Sequence, residues 1–256
     1  MLVIPKTPAL TGTLARGLLA HFPLSEGAGR GANVAKIPIY DSRGNLRLDW
    51  ACNDTSHPHI SNDYGLYFDG SDSRVFSTDA TVLSRLTNPG SQVTIAAWIY
   101  TTKSGAAQYI CDLGDGGGLT TSSVNYRFRI EPGGAERLRF SFTDGTGFGI
   151  VYPSATVGPA LVQKNRFMHV AVTVDLNRTP GDRARIYHDS QNIKALTYSA
   201  LNPWLSSGNV RFAIGSLAAA AGSGWFQGNI RDLMVWNRWL SADEIDQIYG
   251  LGARNG

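Results

Sequence analysis

The chain has 256 residues, of which 43% are apolar and only 17% charged, with 29 glycines and 11 prolines. One β-sandwich or barrel can reach this length with a sizeable core, and the glycine and proline content favours many turns over long charged helices. The net charge of +3 is spread without a run of like charges, which disfavours nucleic acid as a partner, and no apolar stretch approaches the length of a membrane-crossing helix.

In chain order, Pro5 and Pro8 interrupt what a secretory leader needs as an unbroken apolar run, so no leader is read here. Residues 1–16 are expected to form an N-terminal arm ahead of one domain over 17–256. From there short apolar runs recur between Gly, Asp, Asn and Pro clusters, the rhythm of an antiparallel all-β domain. Strands are predicted over 18–22, 65–68, 93–99, 109–113, 126–130, 138–142, 149–152, 167–174, 184–188, 210–214 and 229–236. Leu138, Phe140 and Phe142 alternate with Arg139 and Ser141, so one face is wet and the other buried, which two stacked sheets satisfy.

Between Gly27 and Gly65 the pattern weakens. Asp41-Ser42-Arg43-Gly44-Asn45 and His57-Pro58-His59 read as loops around a short strand at 46–50. The one helix predicted is C-terminal: Ser241-Ala242-Asp243-Glu244 is a capping box ahead of Ile245, Ile248 and Tyr249, with Gly250 as the stop. Cys52 and Cys111 cannot supply a disulfide framework for this length; two buried thiols are expected, with one bridge left open. Asn53-Asp54-Thr55 and Asn177-Arg178-Thr179 match the glycosylation acceptor pattern, which means little without a leader.

The order of motifs resembles a known family. Gly17-Leu18-Leu19-Ala20-His21-Phe22-Pro23-Leu24-Ser25-Glu26-Gly27 is similar to the opening strand of laminin-G-like domains in the concanavalin A-like lectin/glucanase superfamily. Asp41-Ser42-Arg43-Gly44-Asn45 looks like the following turn, Leu66-Tyr67-Phe68-Asp69-Gly70-Ser71 like the Phe-Asp-Gly strand end, and Val93 to Ile99 like the central strand with its Trp98. Met168 to Asp175, Arg185 to Asp189, Ala213-Ile214-Gly215 and Phe226 to Ser241 follow in the family's order. The resemblance implies a two-sheet antiparallel β-sandwich, a concanavalin A-like jelly roll, with a short C-terminal helix. It departs at Ser190, where the family often has Gly and a different hairpin turn is expected. It departs again at Arg231-Asp232, where the acidic pair is reduced.

Glucanases of this fold share a Glu-x-Asp-x-x-Glu strand, because retaining hydrolysis needs two carboxyls about 5 to 5.5 Å apart. The near match here, Glu244-Ile245-Asp246, meets Tyr249 at the deciding position and lies on the predicted helix, so no catalytic residues are assigned. His21, His169 and His188 fall in separate strands, and His57-Pro58-His59 is too stiff to chelate alone, which argues against zinc. Gly114-Asp115-Gly116-Gly117-Gly118 lacks the Lys-Ser/Thr of a phosphate loop and reads as a hairpin loop. A structural calcium ion is the cofactor to test, with Asp41, Asp69 and Asp232 as ligands; the alternative is that these carboxylates accept backbone N–H groups in turns. Trp98 and Trp236 read as core, Trp239 as packing under the helix, and Trp50, Trp204 and Trp225, in loop-like contexts, as the candidate ligand-binding aromatics.

Domains resembling this one bind rather than catalyse. The expected function is a non-enzymatic binding or assembly module, made in a host cytoplasm and carried on a virion surface as a capsid decoration, cement or fibre-associated protein of a tailed phage. Residues 1–16 would contact a capsid or other virion protein, with surface glycans and a second copy of the chain as further partners. The alternative is an extracellular, calcium-dependent lectin, and a glycoside hydrolase comes third.

Overall fold

The computed structural model describes residues 10–24, 39–42, 46–51, 60–61, 65–77, 79–86, 90–114, 124–132, 136–143, 148–153, 162–198, 210–218 and 223–253. Outside them fall residues 1–9 of the expected arm, Arg43-Gly44-Asn45, Cys52, the Asn53 acceptor triplet, His57-Pro58-His59, residues 115–118 and Trp204.

In chain order the strands are β1 (Leu18–Phe22), β2 (Ile39–Tyr40), β3 (Arg47–Ala51), β4 (Ile60–Ser61), β5 (Gly65–Asp69) and β6 (Arg74–Ser77). After helix α1 (Ala80–Leu86) come β7 (Gln92–Thr101), β8 (Gln108–Gly114), β9 (Val124–Glu131), β10 (Arg137–Thr143) and β11 (Phe148–Pro153). The chain ends with β12 (Phe167–Asp175), β13 (Ala184–His188), β14 (Gln191–Tyr198), β15 (Arg211–Ile214), β16 (Gln227–Trp236) and helix α2 (Ala242–Ala253).

Every strand pairing is antiparallel, and the strands form the two sheets of a sandwich. The first sheet runs β5-β16-β7-β12-β13-β14, with β4 beyond β5 and β1 on the second half of β16. The second runs β14-β11-β10-β9-β8-β15-β6-β3-β2. Strand β14 belongs to both: Gln191 to Lys194 pair with β13, and Ala195 to Tyr198 pair with β11. A strand that changes sheet in mid-course turns a corner of the sandwich without leaving backbone groups unpaired.

Alternation fixes what lies between the sheets. Val93, Ile95, Ala97 and Ile99 of β7 and Met168, Val170, Val172 and Val174 of β12 face Phe128, Phe140, Phe142 and Phe212 in one core. Helix α1, which the sequence reading missed, adds Val82 and Leu86 to that core. Its signal was Asp79, whose carboxylate accepts the Val82 N–H at 3.4 Å at the helix start.

The far face of the first sheet is covered as well. Small Ala96 and Ala171 leave room for α2, whose Ile245 and Ile248 pack with Leu14, Leu18, Trp236 and Leu240 in a second core. Each isoleucine buried this way contributes about 1.5–3 kcal/mol. The capping box forms reciprocally: Glu244 N–H donates to Ser241 Oγ at 3.2 Å, and Ser241 N–H donates to Glu244 Oε2 at 3.0 Å. Leu240, not Trp239, is the residue packed under the helix; Trp239 is half-buried, with the Arg178 guanidinium 4.1 Å from its ring centroid.

Within the expected arm, residues 10–16 pack on this chain's own first sheet. Leu14 is buried, its carbonyl accepts Trp236 Nε1–H at 2.8 Å, and Arg238 donates to the carbonyls of Thr13 and Arg16 at 2.6 and 2.7 Å.

Candidate functional site

Because Tyr126, Phe128 and Ile130 of β9 turn inward, Arg127, Arg129 and Glu131 turn out, and the same parity puts Arg139 and Ser141 of β10 on the outer face of the second sheet. Register then places Asp49, Phe76, Ala213, Asp112, Arg127 and Ser141 in one row across β3, β6, β15, β8, β9 and β10. Tyr109, Arg129 and Arg139 form the next row.

The β8–β10 part of this face is closed by its own charges. Arg127 Nε donates to Asp112 Oδ1 at 2.6 Å, with both side chains almost wholly buried. The second Asp112 oxygen accepts the Ala218 N–H at 2.8 Å. Burial pushes the Asp112 carboxyl up, and the Arg127 guanidinium works against that rise. Arg129 donates to the Tyr109 hydroxyl at 2.7 Å and pairs with Glu131 at 2.6 Å, and Arg139 reaches the other Glu131 oxygen at 2.8 Å.

A folded-back segment after β15 seals this part. Leu217 N–H donates to the Ser223 carbonyl at 2.9 Å, Tyr109 N–H to the Gly224 carbonyl at 3.0 Å, and Phe226 N–H to the Gly215 carbonyl at 2.8 Å. Gly224 has φ of +60°, and a Cβ there would lie 2.2 Å from the Tyr109 ring, so only glycine lets the segment sit this low. Phe226, fully buried, packs edge-on against Phe68 at 6.2 Å, while its neighbour Trp225 stays half-buried on the outer side.

The β6–β15 part is different. Val75 and Ser77 are buried, whereas Arg74 and Phe76 are half-buried on the outer face. The Arg74 guanidinium carbon is 5.2 Å from the Phe76 ring centroid and 5.8 Å from that of Trp225. Half-buried Arg211 lies across β15 on the other side of the Phe76–Ala213 pair. Burial first, and then the charge of Arg211, lower the Arg74 pKa from the ordinary arginine value. This partly exposed set of two aromatic rings and two guanidinium groups is the candidate site.

Of the three expected ligand-binding aromatics, Trp225 is in the site. Trp50 is on β3, its backbone opposite Val75 in the register, one strand from Arg74. Arg74 and Phe76 are missed in the sequence because β6 is not recognised there as a strand; the signal is the alternation of Arg74 and Phe76 with Val75 and Ser77. Arg211 lies inside the strand expected over 210–214, but its place beside Phe76 depends on the pairing of β15 with β6.

The carboxylates considered for calcium each have neighbouring polar groups. Asp41 Oδ1 accepts the Leu46 N–H at 2.8 Å. Asp69 accepts N–H groups of Ser71, Asp72 and Ser73 at 3.0–3.3 Å and the Ser71 hydroxyl. Partial burial pushes the Asp69 carboxyl up, but these hydrogen bonds outweigh it and hold the group well below the usual carboxylate range. Asp232 sits at φ +51°, where β16 bulges between its β5-paired and β1-paired halves, and its Oδ1 is 3.2 Å from His21 Nε2. Among the described residues no group of three His, Cys, Asp or Glu is placed to hold a metal ion. Cys111 is a free, buried thiol whose pKa burial pushes up.

Comparison with known proteins places this architecture. The family model of the concanavalin A-like lectin/glucanases superfamily matches residues 64–246, and the chain belongs to that family. None of the curated proteins compared with it is similar in sequence. Among solved structures it is similar to domain 4 of AbnA, a GH43 extracellular arabinanase from Geobacillus stearothermophilus, in complex with arabinotriose. That match has 13% identity and a TM-score of 0.55 and covers 91% of this chain and 98% of that one. It is also similar to the Ruminococcus gnavus IT-sialidase CBM40 bound to α2,3-sialyllactose, with 17% identity, a TM-score of 0.54, and coverage of 72% and 91%. A third is the binding domain of botulinum neurotoxin serotype D/C, with 13% identity and a TM-score of 0.61; this chain is 92% covered but spans 52% of that one. At these identities the likeness shows the fold.

Proposed function

We propose that this chain is a non-enzymatic carbohydrate-binding module that holds a glycan on the outer face of its second sheet, against Trp225, Phe76 and Arg74. The observation that carries this reading is the half-buried pair of rings around one guanidinium, beside a β8–β10 part of the same face that internal ion pairs close. A pyranose offers C–H groups to an aromatic face and hydroxyls to a guanidinium, so such a set matches both sides of a sugar ring. Two structures of similar fold, the arabinanase domain and the sialidase CBM40, are complexes with oligosaccharides, which supports the reading. The non-enzymatic part rests on Glu244, the only near match to the hydrolytic motif, being used to cap α2 and pair with Arg238 at 2.8 Å.

Titration calorimetry against a glycan panel, in calcium and then in chelator, tests this. Saturable binding is expected, and Trp225→Ala should weaken it by roughly 1–3 kcal/mol, the range for a nucleobase stacked on an aromatic side chain, with an unchanged melting temperature. A flat response to the whole panel would sink the reading, and loss of binding in chelator would put an ion at the site. As a setting we propose a glycan-bearing surface, that of a virion or the outside of a cell. Co-sedimentation with phage particles, lost on deletion of residues 1–9, tests the virion arm.

A further inference from the structure

We infer that the glycan this site selects is acidic, a saccharide bearing a carboxylate, and that Arg211 together with Arg74 recognises the charge; the inference rests on the carbohydrate-binding reading above. Charge balance differs along this sheet face. At the β8–β10 part, Arg127 is matched by Asp112, and Arg129 and Arg139 by Glu131. At the β6–β15 part, the register puts Arg74 two residues before Phe76 and Arg211 two residues before Ala213, its partner on the antiparallel neighbour. Arg74 and Arg211 therefore stand on opposite sides of the Phe76–Ala213 pair in the register. Among the described residues Arg211 has no ion pair with a carboxylate. The nearest carboxylate in the row beyond Phe76, Asp49, is bound by Arg47 in a bidentate contact at 2.7 and 2.9 Å.

Like charges on either side of an aromatic floor repel, and Arg74 registers the charge of Arg211. An anion between them removes that repulsion and accepts charge-assisted hydrogen bonds from planar donors suited to a carboxylate. A neutral sugar gains the stacking on Phe76 and Trp225 but leaves the repulsion in place. Position on the sheet, rather than on a free loop, sets the separation of the two arginines before any ligand arrives.

The experiment compares charge-matched ligands: trigalacturonate against its methyl ester, and α2,3-sialyllactose against lactose, by calorimetry at low and moderate salt. In at least one pair the acidic member should bind about tenfold or more tightly than its neutral counterpart, the scale of one charge-assisted contact, with the difference shrinking as salt rises. Arg211→Gln should abolish most of that difference, with an unchanged melting temperature. Equal affinity for both members of each pair would overturn the inference and leave the carbohydrate-binding reading intact. An acid preference unmoved by Arg211→Gln would place charge recognition elsewhere and also overturn it. No binding of any member would overturn the carbohydrate-binding reading itself.

Discussion

Two neighbouring parts of the second sheet's outer face use the same residue types to opposite effect. At β8–β10, arginines lie against carboxylates under a folded-back segment, and the result is rigid and shut. At β6–β15, arginines lie beside aromatic rings and one another, and the result is half-open and positively charged. What stands opposite an arginine in the register, a carboxylate or an aromatic ring, thus decides whether that part of the face is closed or half-open.

The largest expected effect tests the closed part. Arg127→Met removes one member of a buried pair and strands the Asp112 charge, which should cost about 3–5 kcal/mol in urea unfolding. Arg211→Gln, in the half-open part, should stay within about 0.5 kcal/mol of the parent. A similar cost for both would erase the distinction between the two parts.

The face of the first sheet that α2 covers gives a second contrast, because there a titratable group is closed in without a charged partner. His169 is wholly buried beside Trp98 and Tyr249, with ring centroids 5.5 and 6.1 Å away. Burial, then the charge of His188, push its pKa down to about 3. Its folded pKa lies below the unfolded value, so the unfolded chain binds the proton first. The contribution of neutral His169 is therefore full above pH about 6.5 and is lost as pH falls towards 3, by up to about 1.4 kcal/mol per pH unit. His169→Phe should flatten this part of the stability profile against pH; an unchanged slope would mean that His169 does not supply it.

Between these two parts of the face lies the segment that links them. Gly224→Ala places a methyl group against the Tyr109 ring at a left-handed φ, and should cost about 2 kcal/mol from strain and overlap. Since the same segment carries Trp225, glycan binding should weaken as well. Stability loss with binding intact would show that the platform does not depend on how low the segment sits.

Much of this was legible in the sequence, and the omissions have physical causes. Strands with clean alternation, such as Leu138 to Phe142, were read correctly, as was the capping box at Ser241 and Glu244, because their signals are local. Strand β6 was missed because it is short and follows directly on the Asp69 turn, so its outward Arg74 and Phe76 were not seen as a surface. The pairing of Asp112 with Arg127 and the placement of Trp225 over β6 depend on register between segments far apart in sequence. Nor does apolar content tell Leu240 from Trp239 as the residue under α2; only the direction in which the chain enters the helix decides that.

The smallest effect concerns the β13–β14 hairpin, outside both parts of that face. Asp189 and Ser190 both take positive φ, 48° and 62°, the signature of a tight primed turn. Asp189 is held there: its N–H donates to the His169 carbonyl at 2.8 Å, its Oδ1 accepts the His169 N–H at 2.9 Å, and its other oxygen pairs with Arg166. Ser190 keeps a left-handed backbone that glycine adopts without penalty, so Ser190→Gly should relieve strain of about 1 kcal/mol, partly offset by the greater freedom glycine has when unfolded. A small rise in melting temperature with unchanged glycan affinity is expected. Because β14 carries the corner between the sheets, altered binding in this variant would mean that the half-open part senses the corner strand, and that the two parts of the face are less independent than their charges imply.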